Sequence, residues 1–149
     1  MSNVYKRFRG ETPTQFEINA IKLQTLVAKF CVKEKFMPKK YRLLLGIPLV
    51  NKSDELMDNI VFANSIYVTN EREATLRKSY QTKAIACCYQ LQNLIVKLES
   101  TVDTVKIENL EEIIEILCQE RILLLAWRNS EKVTPPKQKI PTYHKPPFK

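Results

Sequence analysis

Residues Arg72 to Lys97, REATLRKSYQTKAIACCYQLQNLIVK, contain neither proline nor glycine. Leu76, Tyr80, Ala84, Cys87, Leu91, Leu94, Ile95 and then Leu98 recur at steps of three and four, which places them on one side of an α-helix. The pattern predicts a helix from about Glu71 to Glu99, capped by Thr69 or Asn70. At 1.5 Å per residue it is on the order of 40 Å long. A helix of that length needs equally long partners to bury its stripe. Two glycines in 149 residues point the same way. Usual glycine content is roughly 7%, and many-stranded folds need it for tight turns.

Three further helices are expected. The first follows Thr12-Pro13-Thr14-Gln15, where Thr12 is the cap, Pro13 the first helical residue and Gln15 the capping-box partner, and it runs to about Lys35. Pro38 breaks it, because a proline disfavours helical geometry in the residue before it. The second helix opens at Lys39-Lys40-Tyr41-Arg42. Pro48 kinks or splits it, and a stronger signal resumes at Ser53-Asp54-Glu55, with Ser53 as a candidate cap. The fourth runs from about Val105 to Asn129. Glu108, Glu111, Glu112 and Glu115 form an acidic, solvated face near its start. Trp127 is either a core anchor or an exposed stacking surface, and Asn64 either serves a neighbouring backbone group or faces solvent.

The fold class is therefore all-α: an antiparallel up-down-up-down four-helix bundle over residues 12–131. A basic arm at 1–11, with Tyr5 and Phe8 among its cations, precedes it. A Pro/Lys-rich extended tail at 132–149 follows. Ile18, Val32, Ile116 and Leu123 fall outside a single stripe. Helices apolar on two sides need burial on two sides, so a homo-oligomer is expected.

The net charge is +8, unevenly spread. Residues 1–45 hold ten basic and three acidic side chains, and residues 46–100 hold six of each. That asymmetry suits a polyanion. The candidate nucleic-acid-binding set is Lys33, Lys35, Lys39, Lys40 and Arg42 around the start of the second helix, and Arg72, Arg77, Lys78 and Lys83 in the first half of the third. No catalytic residue, metal ligand or cofactor site is expected. The lone histidine, His144, lies in the tail. Cys31, Cys87, Cys88 and Cys118 sit in apolar helical patterns without C-x-x-C spacing, as small buried hydrophobes of a reducing compartment. The polar N-terminus has no signal-peptide pattern, and no apolar run nears the roughly 18 residues of a membrane span. The expected location is cytoplasmic, with no membrane partner.

Several pieces carry a family resemblance. They are Pro38-Lys39-Lys40-Tyr41-Arg42 with Leu45-Gly46, Ala63-Asn64-Ser65-Ile66-Tyr67, the basic opening of the third helix, and Ala126-Trp127-Arg128-Asn129-Ser130. In that order and spacing they resemble the accessory variability determinant proteins of diversity-generating retroelements, and the related four-helix proteins of ribosomal RNA intervening sequences. The resemblance covers about residues 12–130. It implies a homopentameric barrel, a basic surface for RNA or an RNA–DNA hybrid, and a reverse transcriptase partner that makes mutagenic complementary DNA. Pro48 and the tail depart from the family pattern. Charge and periodicity leave a structural protein–protein adaptor as the alternative.

Overall fold

The computed structural model describes residues 13–130. The arm at 1–11, the cap expected at Thr12 and the tail at 132–149 lie outside them. Among the described residues every regular element is helical. The elements are α1 (Gln15–Cys31), the single turn α2 (Lys39–Tyr41), a π-helical segment (Arg42–Gly46), α3 (Ile47–Ser65), α4 (Glu71–Thr101) and α5 (Ile107–Ser130). The four long helices close a ring of neighbours: α1 on α3, α3 on α4, α4 on α5, and α5 on α1. Their shared interior is a four-helix-bundle core. Leu23, Met37, Leu56, Ile60, Leu91, Leu98, Leu110 and Leu124 are its largest fully buried apolar side chains.

Helix starts follow local chemistry, with two corrections. Thr14, not Thr12, precedes the first turn of α1 in extended backbone, and Pro13 stays outside the helix. The Thr14 hydroxyl donates to Glu17 Oε1 at 3.1 Å, so the partner three residues on is Glu17 rather than Gln15. At α4 the expected cap is present. Asn70 Oδ1 accepts from the Glu73 N–H at 2.9 Å, and its amide donates to the Glu73 carboxylate at 2.6 Å.

The second helix divides just ahead of Pro48, into α2, the π-helical segment and α3, of which Pro48 is the second residue. The backbone widens just before it, and the Ile47 N–H reaches back five residues to the Arg42 carbonyl. In α geometry the Pro48 ring would press on the Leu44 carbonyl and leave it without a donor. A π turn relieves that crowding. The helix then runs unbroken through Ser53. That residue is buried mid-helix, and its hydroxyl donates to the Val50 carbonyl at 2.8 Å. Serine bonded back to its own helix has the same sequence signature as serine at a cap. α1 ends at Cys31, short of Lys35. The chain turns so that Phe36 stacks on Phe30, with centroids 5.1 Å apart, and Met37 is buried beneath.

Along α4 the stripe is buried at Ala84, Cys87, Leu91, Ile95 and Leu98, but Leu76 is exposed. Cys31, Cys87 and Cys88 are buried as expected, whereas Cys118 is exposed. The fourth helix turns this thiol outward, because its buried face follows Leu110, Ile113, Leu117 and Leu124. Ile116 is buried inside the chain, so of the four residues taken to need outside cover only Val32 is fully open.

Side-chain contacts tie the helix ends together. Phe16 near the start of α1 stacks on Trp127 near the end of α5, with centroids 4.3 Å apart. Arg77, early in α4, lies over the same Trp127 ring at 5.5 Å. Asn64 at the end of α3 donates to the Glu17 carboxylate of α1 at 3.4 Å, a side-chain partner rather than the backbone group or solvent expected. Elsewhere, Thr104 between α4 and α5 donates to the Lys35 carbonyl between α1 and α2 at 2.9 Å. Among the described residues no helix is long and apolar enough to cross a membrane.

Candidate nucleic-acid interface

The turn from α1 into α2 gathers Lys33, Lys35, Lys39 and Lys40, all exposed. Its shape comes from burial. Met37 and Phe36 turn inward, and the lysines before and after them turn outward. Lys33 and Lys35 stand 5.9 and 5.6 Å from the Phe36 ring, and Lys40 stands 5.0 Å from Tyr41. Each ammonium thus rests on an aromatic face while keeping its outer side in water. Arg42 does a different job. Its Nε donates to the Met37 carbonyl at 3.3 Å and its guanidinium faces Glu34 at 3.7 Å, so it holds the turn. The helix start at Lys39 lasts only three residues before the π-helical segment. Attraction for phosphate there rests on lysine charge more than on aligned backbone N–H groups.

Exposed aliphatics border this corner. Val32, Leu43, Leu44 and Ile47 are 72%, 72%, 65% and 49% exposed.

The second basic segment separates into three places. Arg72, Leu76, Tyr80 and Lys83 recur at steps of four, four and three, so they share one side of α4. Arg77 turns inward, with Nε buried and its guanidinium over Trp127. Lys78, exposed, lies well round the axis from Arg72 and Lys83. The start of α4 and the Thr104–Lys35 contact beyond its far end are separated by the helix's 31 residues, roughly 45 Å. One copy of the chain therefore holds two separate basic sites.

Two aromatic residues outside the expected set join the α4 site. Phe62 of α3, 53% exposed, stacks on Tyr80 with centroids 5.0 Å apart and planes 17° apart. Lys83 Nζ lies 5.1 Å from the Tyr80 centroid. Tyr80 falls on the apolar stripe by spacing, yet it is only half-buried. Phe62 sits beside the stripe of α3, where sequence alone does not separate core from surface.

The three buried cysteines are not built as nucleophiles. Burial pushes the Cys31 thiol up to about 11 and the Cys88 thiol up to about 12, and it raises Cys87 as well. Among the described residues no group of three His, Cys, Asp or Glu side chains is placed to hold a metal. Glu120 is wholly buried, and neither of its oxygens has a hydrogen-bond partner. Burial raises its carboxyl to about 9. Gln81 is equally buried, with both amide atoms unbonded. Both are polar groups inside the core, remote from any cluster that does chemistry.

Comparison with family models, curated proteins and solved structures finds no match to this chain.

Proposed function

We propose that this chain is a non-enzymatic, nucleic-acid-binding accessory subunit of a reverse transcriptase in a diversity-generating retroelement. It would hold template RNA, or an RNA–DNA hybrid, while mutagenic complementary DNA is made. The retroelement and polymerase parts rest on the resemblance carried by the Pro38–Gly46, Ala63–Tyr67 and Ala126–Ser130 segments. The observation that carries the binding part is the lysine corner, where four lysines are exposed and three of them, Lys33, Lys35 and Lys40, lie over Phe36 or Tyr41. Such a surface meets phosphate through charge and reads little sequence. A cytoplasmic location goes with this reading.

The test is RNA affinity against salt. Replacing Lys33, Lys35, Lys39 and Lys40 by alanine is expected to flatten the slope of log affinity against log salt by about 0.7 for each lost single-strand phosphate contact. Circular dichroism should show an unchanged helical signal. Unchanged affinity and slope would remove the corner from the interface.

The helices are read as running up, down, up and down. Support comes from the contacts joining the starts of α1 and α4 to the ends of α3 and α5. We further propose a homo-oligomer, with five subunits favoured by the resemblance alone. The exposed Val32, Leu43, Leu44 and Ile47 supply apolar surface for a subunit contact. A closed ring would repeat each basic site and multiply its effective affinity. Light scattering at micromolar concentration should give a multiple of the chain mass, and Leu43→Glu with Leu44→Glu should reduce it to one chain. A wild-type monomer would end the ring proposal.

A further inference from the structure

The Phe62–Tyr80 pair sits at the edge between α3 and α4, with Phe62 exposed and Tyr80 half-buried. Half of Phe62 stays in water although a methyl-bearing or polar residue would satisfy that edge of α3. Its ring is held nearly parallel to Tyr80, and Lys83 reaches over Tyr80 from one turn along α4. Arg72 and Leu76 continue the same side of α4 toward its start. Arg72, Thr75, Leu76 and Ser79, with Glu71 at one edge, line an open groove of about 630 Å³ there. Flat π surfaces, flanking cations and a groove leading away from them fit a flexible chain of bases. They do not fit a duplex, whose bases are stacked on one another and offer only their edges.

We propose that Phe62 and Tyr80 form a stacking platform for an unpaired base, with Lys83 and Arg72 on the adjoining phosphates. The ligand class is single-stranded nucleic acid. This rests on the nucleic-acid reading above and narrows it. Every base has a π face, so the platform selects single strands from duplexes without selecting sequence.

The experiment compares the full chain with Phe62→Leu and Tyr80→Leu on a labelled single strand and on the matching duplex. Each variant should lower single-strand affinity about tenfold, since a stacked base is usually lost at that scale when its aromatic partner is removed. Duplex affinity should stay unchanged. Phe62→Tyr and Tyr80→Phe keep the rings and should keep wild-type affinity, which separates stacking from any folding defect of the leucine variants. A 2-aminopurine placed in the single strand should change its fluorescence on binding wild type, and lose that change with the leucine variants. If the leucine variants bind the single strand like wild type while Arg72→Ala with Lys83→Ala binds it more weakly, the platform is wrong and the charge-based interface stands. If wild type binds neither strand, both fall together.

Discussion

Glu120→Gln should leave stability unchanged near pH 4.5 and raise it by about 3 kcal/mol near pH 7, as urea unfolding at the two pH values would show. The carboxyl is wholly enclosed, and burial moves it from 4.5 to about 9. Above pH 4.5 the unfolded chain loses this proton and the folded chain keeps it. Stability therefore falls as pH rises and levels out above about 9. The interval from 4.5 to 7 supplies the expected difference at about 1.4 kcal/mol per pH unit. Cys88 is the titratable neighbour on α4, and its thiol titrates far above this window. Glu120→Met should stabilise at both pH values, because it also removes two buried oxygens without partners, a fault that costs about 1–3 kcal/mol. If the wild-type and glutamine curves stay parallel from pH 4.5 to 8, the carboxyl is not held neutral.

Trp127→Ala should cost about 3 kcal/mol, in the lower part of the range for large aromatic deletions, because the ring is only partly buried. Phe16 stacks on the Trp127 ring, and the Arg77 guanidinium also lies over it. Arg77→Ala alone should cost about 1–2 kcal/mol, within the span of desolvated cation–π contacts. The two losses should not add, since each variant removes the same contact. A thermal-melt cycle over wild type, both single variants and the double variant gives the coupling. Strict additivity would mean that Arg77 and Trp127 act separately. This matters for function, because Arg77 looks in the sequence like one more surface cation beside Lys78.

That misreading shows what periodicity delivers. The long α4 stripe, the Asn70 cap and the helical class could be read from spacing, because burial along a helix repeats every three to four residues. Which way a cation turns at a helix start could not, since Arg77 points inward only because Trp127, fifty residues on, sits there to receive it. Pro13 and Ser53 failed for a related reason. A proline or serine near a helix start has the same signature one turn away from it, and the local bonds actually made, Thr14 to Glu17 and Ser53 to the Val50 carbonyl, follow the helix boundary rather than announce it. Phe62 and Tyr80 were legible as apolar but not as a pair, because their contact joins two helices. Glu120 falls in step with Leu117 and Leu124 on the inner face of α5, but residue type alone argues for solvent.

The π-helical segment before Pro48 has a geometric consequence for the lysine corner. A π turn contains about one residue more than an α turn, and one residue is worth about 100° of rotation about the axis. Everything ahead of Arg42 is therefore rotated relative to α3 by that extra residue. Lose one residue between Arg42 and Gly46, and the turn would tighten against the Pro48 ring while Lys39 and Lys40 swung by more than a quarter of a circle. The azimuth of the charge on this molecule is thus set by the number of residues in one turn, independently of which residues fill it.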